Sequence, residues 1–279
     1  MLLDGTIFKK IMSNSSHSNV LIIGGGCAGI SVASRLHSLK SDLNISIIEP
    51  SDKSLYQAAW TLVGAGAYDV GSTIKQMSEV MPSYVKWIKE YAEEFMPETN
   101  SVKTNNGTYT YDFLVICPGL KLNFDGVAGL KEHLGKNNVC TNYSAEMATY
   151  TWECLKNLDG GTLLFTEPPM PIKCAGAPQK IAYLAADHLK KKGKLNESHL
   201  EFLCAKPVIF GVPHFQGPLN EVCDSYGIKR SFQHNLISVN GNSKEAVFKQ
   251  SDKDGNAKEV TKKFDFIHVT PPQTSPDFI

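Results

Sequence analysis

The chain has 279 residues, of which 42% are hydrophobic, and its 28 basic residues balance 28 acidic ones. A chain of this length can bury a full core in one or two domains, and a net charge of zero gives no electrostatic reason to expect nucleic acid as a partner. No apolar run reaches the ~18–20 residues that cross a bilayer, and seven cysteines without regular spacing argue against a disulfide framework and for a reducing compartment.

Residues 1–17 are predicted to be a disordered leader or a transit peptide that precedes the first domain. They contain Lys9, Lys10 and several serines, which fits a mitochondrial transit peptide. Such peptides are usually rich in arginine and poor in acids, whereas this segment lacks arginine and includes Asp4. The match is therefore weak, and the first folded domain is expected to begin at residue 18.

The first folded unit is a strand, a helix and a second strand. Residues 19–23 form an apolar run of strand length, residues 28–40 place apolar side chains at near-helical spacing, and residues 44–48 form a second apolar run. A unit of this kind has parallel strands and a right-handed crossover. The pattern predicts a Rossmann-like, dinucleotide-binding unit.

The turn between the first strand and the helix carries a G-x-G-x-x-G motif. The first glycine allows a tight turn, the second lets the backbone approach a pyrophosphate, and the third permits close packing of helix on strand. An acid 20 residues after the motif is placed to accept hydrogen bonds from a ribose diol, which disfavours NADP. The motif alone does not distinguish FAD from NAD. The residues of this unit predicted to contact the dinucleotide are Gly24, Gly26, Cys27, Ala28, Gly29 and Glu49.

Two further patterns extend this organisation. Residues 87–109 contain alternating residues and turn formers, which predicts a small antiparallel insertion. Residues 111–119 have a near copy at residues 264–272, where an aromatic–Asp pair again opens an apolar strand and a proline-containing turn ends it. The echo predicts one architectural element that is used twice.

A second strand–loop–helix–strand passage follows, with strands predicted at residues 161–165 and 199–203 and a helix at residues 180–192. Its loop, residues 166–179, lacks the G-x-G-x-x-G motif and contains four prolines. A pyrophosphate would find no glycine cradle there. The second unit is therefore not expected to bind NAD(P)H.

That loop carries a single cysteine, Cys174, close to the predicted helix start. Lys173 beside it and the positive end of the helix that Pro178 initiates both favour the thiolate over the thiol. These features suit a redox nucleophile, and an inert buried thiol is the alternative that they leave open. Cys27 is expected to be a small residue that faces the phosphates. The remaining cysteines are expected to be small buried hydrophobes: Cys117, Cys140, Cys154, Cys204 and Cys223.

Four segments together carry a resemblance to a known family: residues 24–29 with Glu49 and Pro50, residues 56–67, residues 173–180 and residues 268–272. From about residue 18 to its last residue, the chain resembles the eukaryotic mitochondrial sulfide:quinone oxidoreductases, which are two-dinucleotide-domain flavoproteins. The resemblance implies an α/β fold of two successive Rossmann-like units. An FAD-binding domain is expected at residues 18–143, and a second Rossmann-like domain with the redox cysteine at residues 144–279.

The resemblance also implies particular roles for residues. FAD is expected in the first unit, with Gln57 and Gly119 at the flavin and the backbone of Ala92 at the adenine. Cys174 matches the family's flavin-side redox cysteine, with which a more C-terminal cysteine forms a disulfide. In the family sulfide opens that disulfide, one sulfur becomes a persulfide, and the released thiolate passes two electrons to the flavin. No metal site is predicted.

The implied partners are sulfide, ubiquinone and a small sulfur acceptor such as glutathione or sulfite. The implied location is the mitochondrial inner membrane, with peripheral contact through C-terminal segments that this chain does not match. Because no cysteine here matches the partner cysteine and family members continue beyond residue 279, a fragment with an incomplete flavin site is expected. Two other interpretations stay open: a type II NAD(P)H:quinone oxidoreductase, and a catalytically silent chain that keeps a partial FAD site or acts as an interaction module.

Overall fold

The computed structural model describes residues 16–252 and 254–279. The helices of this described part are α1 Cys27–Leu39, α2 Trp60–Val63, α3 Met77–Val80, α4 Leu130–His133, α5 Ala145–Asn157, α6 Ala177–Lys191 and α7 Pro213–Ser225. Its strands are β1 Ser16–Ile23, β2 Ile45–Ile48, β3 Lys53–Leu55, β4 Ile74–Gln76, β5 Val85–Ile88, β6 Ala92–Met96, β7 Ser101–Thr104, β8 Thr108–Ile116, β9 Lys121–Leu122, β10 Val139–Cys140, β11 Gly161–Glu167, β12 Ser198–Cys204, β13 Lys229–Phe232, β14 His234–Asn240, β15 Glu245–Ser251, β16 Ala257–Lys263, β17 Phe266–His268 and β18 Gln273–Thr274.

The predicted leader, residues 1–17, lies outside the described residues except for its last two. Ser16 and His17 belong to strand β1, where they lie opposite Tyr109 and Thr110 of β8. Polar residues can extend a strand in this way because the pairing uses the backbone. The first strand thus begins two residues before the boundary at residue 18 that the apolar pattern suggests.

The chain divides into two compact units, and neither is continuous in sequence. The first, here called the glycine-loop unit, contains residues 16–55, 74–120 and 275–279. The second, the cysteine unit, contains residues 56–73 and 121–274. These bounds differ from a single division at residue 143, because residues 56–73 and 275–279 each pack with the unit that is remote from them in sequence.

The glycine-loop unit is built on a six-stranded sheet with the order β5-β2-β1-β8-β7-β6. Strands β5, β2, β1 and β8 are parallel, and β7 and β6 continue the sheet antiparallel. The predicted strand–helix–strand unit is therefore present as β1, α1 and β2, and the predicted antiparallel insertion as β6 and β7. Buried isoleucines on β1 and β2, among them Ile22 and Ile47, form its core.

The cysteine unit contains a parallel sheet with the order β10-β17-β11-β12-β13. Helix α6 covers this sheet with Ile181, Ala185 and Leu189, which are fully buried against Leu163 and Phe202. The predicted second strand–helix–strand passage is thus confirmed. A three-stranded antiparallel sheet, β14-β15-β16, was not predicted. Four of the seven residues of β16 are charged and none is buried, so this strand gives only a weak apolar signal.

The sequence echo corresponds to β8 and β17, which occupy equivalent places in the two sheets. Each runs parallel to the first strand of a strand–helix–strand passage, β8 beside β1 and β17 beside β11. The aspartate that occurs in both copies of the echoed segment also makes a similar contact in each unit. Asp112 accepts a hydrogen bond from the Asn19 side chain at 2.9 Å, and Asp265 accepts one from the Thr162 amide at 2.9 Å. In both units the carboxylate thus links the echoed strand to the strand beside it.

Candidate active site

The G-x-G-x-x-G loop of the glycine-loop unit leaves no room for side chains at two of its glycines. Gly24 has a φ of +99°, and a Cβ there would lie 2.2 Å from the Cys117 carbonyl oxygen. A Cβ on Gly29 would lie 1.9 Å from the carbonyl oxygen of Gly24. A Cβ on Gly26, in contrast, would meet no described atom within 4 Å. The loop is closed toward the sheet and open on the side of Gly26.

The open side presents backbone amides at the start of helix α1. Gly26 is the N-cap residue and provides no side-chain cap, so the first-turn amides of Cys27, Ala28 and Gly29 have no acceptor within the helix. Gly26, Cys27 and Ala28 are exposed. Such donors, together with the positive end of the helix dipole, are suited to an anion such as a pyrophosphate. The geometry therefore fits the phosphates of a bound dinucleotide.

Glu49 lies at the end of β2, where both of its carboxylate oxygens bind backbone amides. One oxygen accepts a hydrogen bond from the Gly25 amide and the other from the Ser51 amide, each at 2.8 Å. Trp87 donates from its indole nitrogen to the Glu49 carbonyl oxygen at 2.7 Å. Because each carboxylate oxygen has two lone pairs, both remain able to accept a ribose hydroxyl. Glu49 thus supports the glycine loop, and its carboxylate can still accept the hydrogen bond from a ribose hydroxyl that the sequence leads us to expect.

Two further residues of this unit, Gly119 and Ala92, are predicted to contact the cofactor. They lie at different distances from the glycine loop along the sheet. Gly119, with a φ of +77°, follows Cys117 by two residues, and the Cys117 amide donates to the Ile23 carbonyl oxygen at 2.7 Å. It therefore follows directly on the segment that packs against Gly24. Ala92 begins strand β6, which is separated from β1 by β8 and β7. The structure brings Gly119 near the glycine loop and places Ala92 at the sheet edge.

Cys174 is exposed in the loop that leads into helix α6 of the cysteine unit. Its carbonyl oxygen accepts a hydrogen bond from the Ala177 amide at 2.8 Å, so the cysteine belongs to the turn that starts the helix. Its φ is +54°, a left-handed conformation that is uncommon for residues other than glycine. Such strained residues are concentrated at functional sites. The inert buried thiol, the alternative that the sequence leaves open, is not what the structure shows.

Lys173 turns its side chain into the protein beside the cysteine. Its ammonium group donates to the Gln57 side-chain oxygen and lies 5.6 Å from the ring centroids of both Trp60 and Tyr143. Burial lowers the pKa of Lys173, while the charge of the neighbouring Cys174 acts in the opposite direction. The lysine is a half-buried cation held between two aromatic rings, a favourable cation–π arrangement.

A cavity of about 130 Å³ lies next to these groups. Its wall brings together two predicted site residues of the cysteine unit, Gln57 and Cys174. Residues that the sequence did not single out complete it, and the full set is Gln57, Ala58, Trp60, Thr61, Asn142, Tyr143, Lys173, Cys174 and Ala177. Below, it is called the Cys174 cavity. Trp60 falls in a segment that carries the resemblance. Asn142 and Tyr143 could not have been selected as site residues from the sequence. Their only distinguishing feature is that they follow the short strand β10, which is recognised only in the folded structure.

Two residues of the wall are anchored from behind. The backbone amide of Asn142 donates to Nε2 of His268 at 3.0 Å, and the Tyr143 hydroxyl donates to the Lys173 carbonyl oxygen at 3.3 Å. Complete burial lowers the pKa of His268 to about 3, so its imidazole is neutral and able to accept that bond. Burial, followed by the charge of Cys174, raises the pKa of Tyr143. Tyr143 therefore stays a neutral phenol.

The other cysteines differ from Cys174 in their surroundings. Cys140, Cys154, Cys204 and Cys223 are buried, as expected for small core residues. Burial raises the pKa of Cys204 to about 12 and also raises that of Cys140. The pKa of Cys154 is lowered because Cys140 lies within hydrogen-bond reach. All seven cysteines are free thiols, with Cys117 half-buried and Cys27 exposed at the helix start.

Comparisons with known proteins identify relatives of this chain. The pyridine nucleotide-disulphide oxidoreductase family model matches residues 18–146. The mitochondrial sulfide:quinone oxidoreductase of Dictyostelium discoideum is 42% identical over 258 residues, which are 91% of this chain and 56% of that protein. The mitochondrial sulfide:quinone oxidoreductase of Mus musculus is 37% identical over 265 residues, 95% of this chain and 58% of that protein. The crystal structure of the sulfide:quinone oxidoreductase from Aquifex aeolicus superposes with a TM-score of 0.76 at 25% identity, over 95% of this chain and 60% of that one.

The fold and the glycine loop define the class: the chain has the α/β architecture of the FAD/NAD(P)-binding flavoproteins. Within that class it is a homologue of the mitochondrial sulfide:quinone oxidoreductases over about nine-tenths of its length, which confirms the resemblance predicted from its sequence. This homology implies FAD as the cofactor. The chain spans a little over half the length of these curated relatives, 58% and 56%.

Proposed function

We propose that the protein is an FAD-dependent sulfide:quinone oxidoreductase in which Cys174 is the redox thiol beside the flavin. The observation that carries the proposal is the contrast between the two units. The first has a glycine loop with free amides, whereas the second has an exposed cysteine at the corresponding strand-to-helix passage. The geometry supports a dinucleotide in the first unit and sulfur chemistry in the second.

The proposed reaction follows thiol–disulfide exchange. Hydrosulfide attacks a disulfide between Cys174 and a second cysteine that none of this chain's other cysteines matches, so one S–S bond forms as another breaks. One cysteine then carries a persulfide and the other leaves as a thiolate. Transfer of the outer sulfur to an acceptor leaves two thiols, and their oxidation restores the disulfide. With sulfite as acceptor, hydrogen sulfide, sulfite and quinone become thiosulfate and quinol.

The chain's own residues have distinct parts in this proposal. The amides at the start of α1 and Glu49 hold the pyrophosphate and ribose of FAD, while Gln57 and Gly119 lie at the flavin and Ala92 at the adenine. Bound FAD would accept the electron pair from sulfur and pass it to quinone. Lys173 places a half-buried positive charge next to Cys174 in the sequence and beside the ring of Trp60.

The location and the remaining partners are part of the same proposal. The curated relatives are mitochondrial proteins, and we place this protein in the mitochondrion, in peripheral contact with the inner membrane where ubiquinone is dissolved. Glutathione or sulfite is the proposed sulfur acceptor. Among residues 16–252 and 254–279, no helix combines the length and the hydrophobicity needed to cross a membrane.

The role of Cys174 is tested by replacing its sulfur. In FAD-loaded protein, Cys174→Ser should lower sulfide-dependent quinone reduction by about 10³-fold or more, because a hydroxyl cannot take part in disulfide exchange. Cys154→Ala, which removes a buried thiol of helix α5, should keep most of the activity. Wild-type activity in the Cys174→Ser protein would refute the role.

The type II NAD(P)H:quinone oxidoreductase interpretation has less support. A pyrophosphate in the second unit would have to lie beyond the carboxyl end of β11. That strand ends in Glu167, a fully buried carboxylate paired with Lys206, and the loop that follows, up to the start of α6, holds three prolines and no glycine motif. Without a glycine cradle this loop gives a pyrophosphate no close approach to the backbone. The catalytically silent interpretation is tested together with the electron donor below.

A further inference from the structure

Two buried cysteines of the cysteine unit, Cys140 and Cys154, lie against each other. Cys140 ends strand β10 and Cys154 lies in the last turn of helix α5, and their thiols are within hydrogen-bond reach. The Thr151 hydroxyl of the same helix donates to the Thr141 carbonyl oxygen at 3.3 Å, which attaches α5 to the segment after β10. Cysteines that are far apart cannot be bridged without backbone movement, whereas these two need only small movements of their side chains.

An open pocket of about 270 Å³ leads from the surface to Cys154. Cys154 is 8% exposed, whereas Cys140 is completely buried and does not line the pocket. The residues that form the pocket are Asn138, Tyr150, Glu153, Cys154, Asn157 and Leu158. A small molecule that enters from the solvent therefore meets Cys154 first.

The surroundings also make Cys154 the thiol of the pair that ionises more readily. Its pKa is lowered because Cys140 and Tyr150 hydrogen-bond to its sulfur, although burial and the charge of Glu153 act in the opposite direction. The Tyr150 hydroxyl accepts from the Asn138 amide at 3.2 Å, which leaves its own hydrogen available for Cys154. Burial raises the pKa of Cys140. The more accessible thiol is thus also the better nucleophile, because the thiolate is the reactive form.

We propose that Cys154 and Cys140 are a redox-active thiol pair that small hydroperoxides oxidise to a disulfide, with Cys154 as the attacking thiol and Cys140 as the resolving one. The Cys154 sulfur attacks one peroxide oxygen, so an S–O bond forms, the O–O bond breaks, and the leaving hydroxide takes up a proton to become water. Cys140 then attacks the sulfenic sulfur, so an S–S bond forms, the S–O bond breaks, and a second water leaves with the thiol proton. In total, two thiols and hydrogen peroxide become one disulfide and two waters, and the peroxide gains the two electrons that the sulfurs lose. The pair is separate from the proposed sulfide chemistry, because neither thiol lines the Cys174 cavity.

The test exposes FAD-loaded protein to hydrogen peroxide, removes the excess with catalase, and denatures the protein in N-ethylmaleimide, which caps every remaining thiol. Trypsin cuts after Lys136 and Lys156, so both cysteines lie in one peptide, residues 137–156. By mass spectrometry this peptide should lack both maleimide groups and weigh two hydrogens less than its reduced form, and dithiothreitol added before capping should restore it. A peptide that carries two maleimide groups after peroxide, or that dithiothreitol does not restore, would overturn the proposal.

Cys204 is the matched control within the same digest. It is completely buried at the end of β12, and burial raises its pKa to about 12. It should therefore keep its maleimide group at the peroxide concentration that closes the Cys140–Cys154 disulfide. Equal oxidation of Cys204 would mean that the reaction follows general opening of the fold, which contradicts a specific site.

Single replacements separate the roles of the two thiols. In Cys140→Ser the sulfenic acid on Cys154 has no thiol to react with, so dimedone should trap it there. In Cys154→Ser the Cys140 thiol should stay free after the same exposure, because the residue is completely buried. The opposite pattern, with Cys140 trapped and Cys154 unmodified, would refute the assignment of roles. If either variant does not fold, the peptide mass from the parent protein decides.

Discussion

At the scale of single residues, Cys174 and its neighbours show what a sequence can and cannot reveal. The cysteine was recognisable because it stands in a loop where a glycine motif is missing, and Lys173 because it is adjacent. The place of Asn142 in the wall of the Cys174 cavity was not recognisable, because its backbone amide is held by His268, which is remote in sequence and meets it only in the folded cysteine unit. The left-handed backbone of Cys174 likewise has no local sequence signal.

His268 makes a prediction about stability against pH. Its pKa falls from the ordinary 6.5 to about 3 on folding, because the ring is completely buried. Between these values the unfolded chain binds a proton that the folded chain does not. The contribution to stability is therefore present above pH 6.5 and is lost as the pH falls, by about 1.4 kcal/mol per pH unit from this residue.

Urea unfolding at pH 7.5, 6.0 and 5.0 checks this expectation. The free energy of unfolding of the parent protein should fall more steeply with acid than that of His268→Gln, which keeps an acceptor for the Asn142 amide and has no titrating ring. Between pH 6.5 and 5.0 the difference should amount to about 2 kcal/mol. Parallel slopes for the two proteins would contradict the buried, neutral imidazole.

At the scale of elements, helices and strands with a strong hydrophobic periodicity were predictable. Strands that are recognised only through the strands they pair with were not. Strands β1 and β2 with helix α1 between them follow from apolar runs and a glycine turn, and so does helix α6, although it starts at Ala177 rather than at residue 180. Pro178 lies in its first turn, where a missing amide hydrogen does no harm. Strand β16 of the antiparallel sheet, with charges at four of its seven positions, carries too many to show a strand pattern.

The strand–turn–helix element β1–α1 yields a prediction for Gly24. Alanine there would place its Cβ 2.2 Å from the Cys117 carbonyl oxygen at a φ of +99°. We expect Gly24→Ala to cost about 1–3 kcal/mol of stability and to weaken FAD retention, because the turn must open to relieve the contact. Denaturant titration and the flavin absorbance of purified protein measure the two effects.

Gly211→Ala is the matched control for that substitution. Gly211 does not have a positive φ, and a Cβ there would meet no described atom within 4 Å. The control should be neutral or slightly stabilising, because it only reduces the freedom of the unfolded chain. Equal effects of the two alanines would show that the loop at Gly24 is not tightly constrained.

At the scale of the whole molecule, the sequence identified the class of protein and its homologues. It did not reveal which segments of the chain pack in which unit. The echo between residues 111–119 and 264–272 correctly indicated one element used in both units, as β8 beside β1 and as β17 beside β11. That residues 56–73 pack with the cysteine unit and residues 275–279 with the glycine-loop unit could not be predicted, because long-range packing decides it. Consequently Gln57, which precedes most of its unit in sequence, shares a cavity with Cys174.

The central claim is that electrons reach the flavin from sulfur and not from a nicotinamide. It is tested by following the absorbance of FAD-loaded protein under anaerobic conditions after adding sodium sulfide or NADH in separate experiments. The account predicts that sulfide bleaches the oxidised flavin and that NADH leaves it oxidised. Reduction by NADH in place of sulfide would contradict the account, and flavin left oxidised by both donors would mean that the chain is catalytically silent.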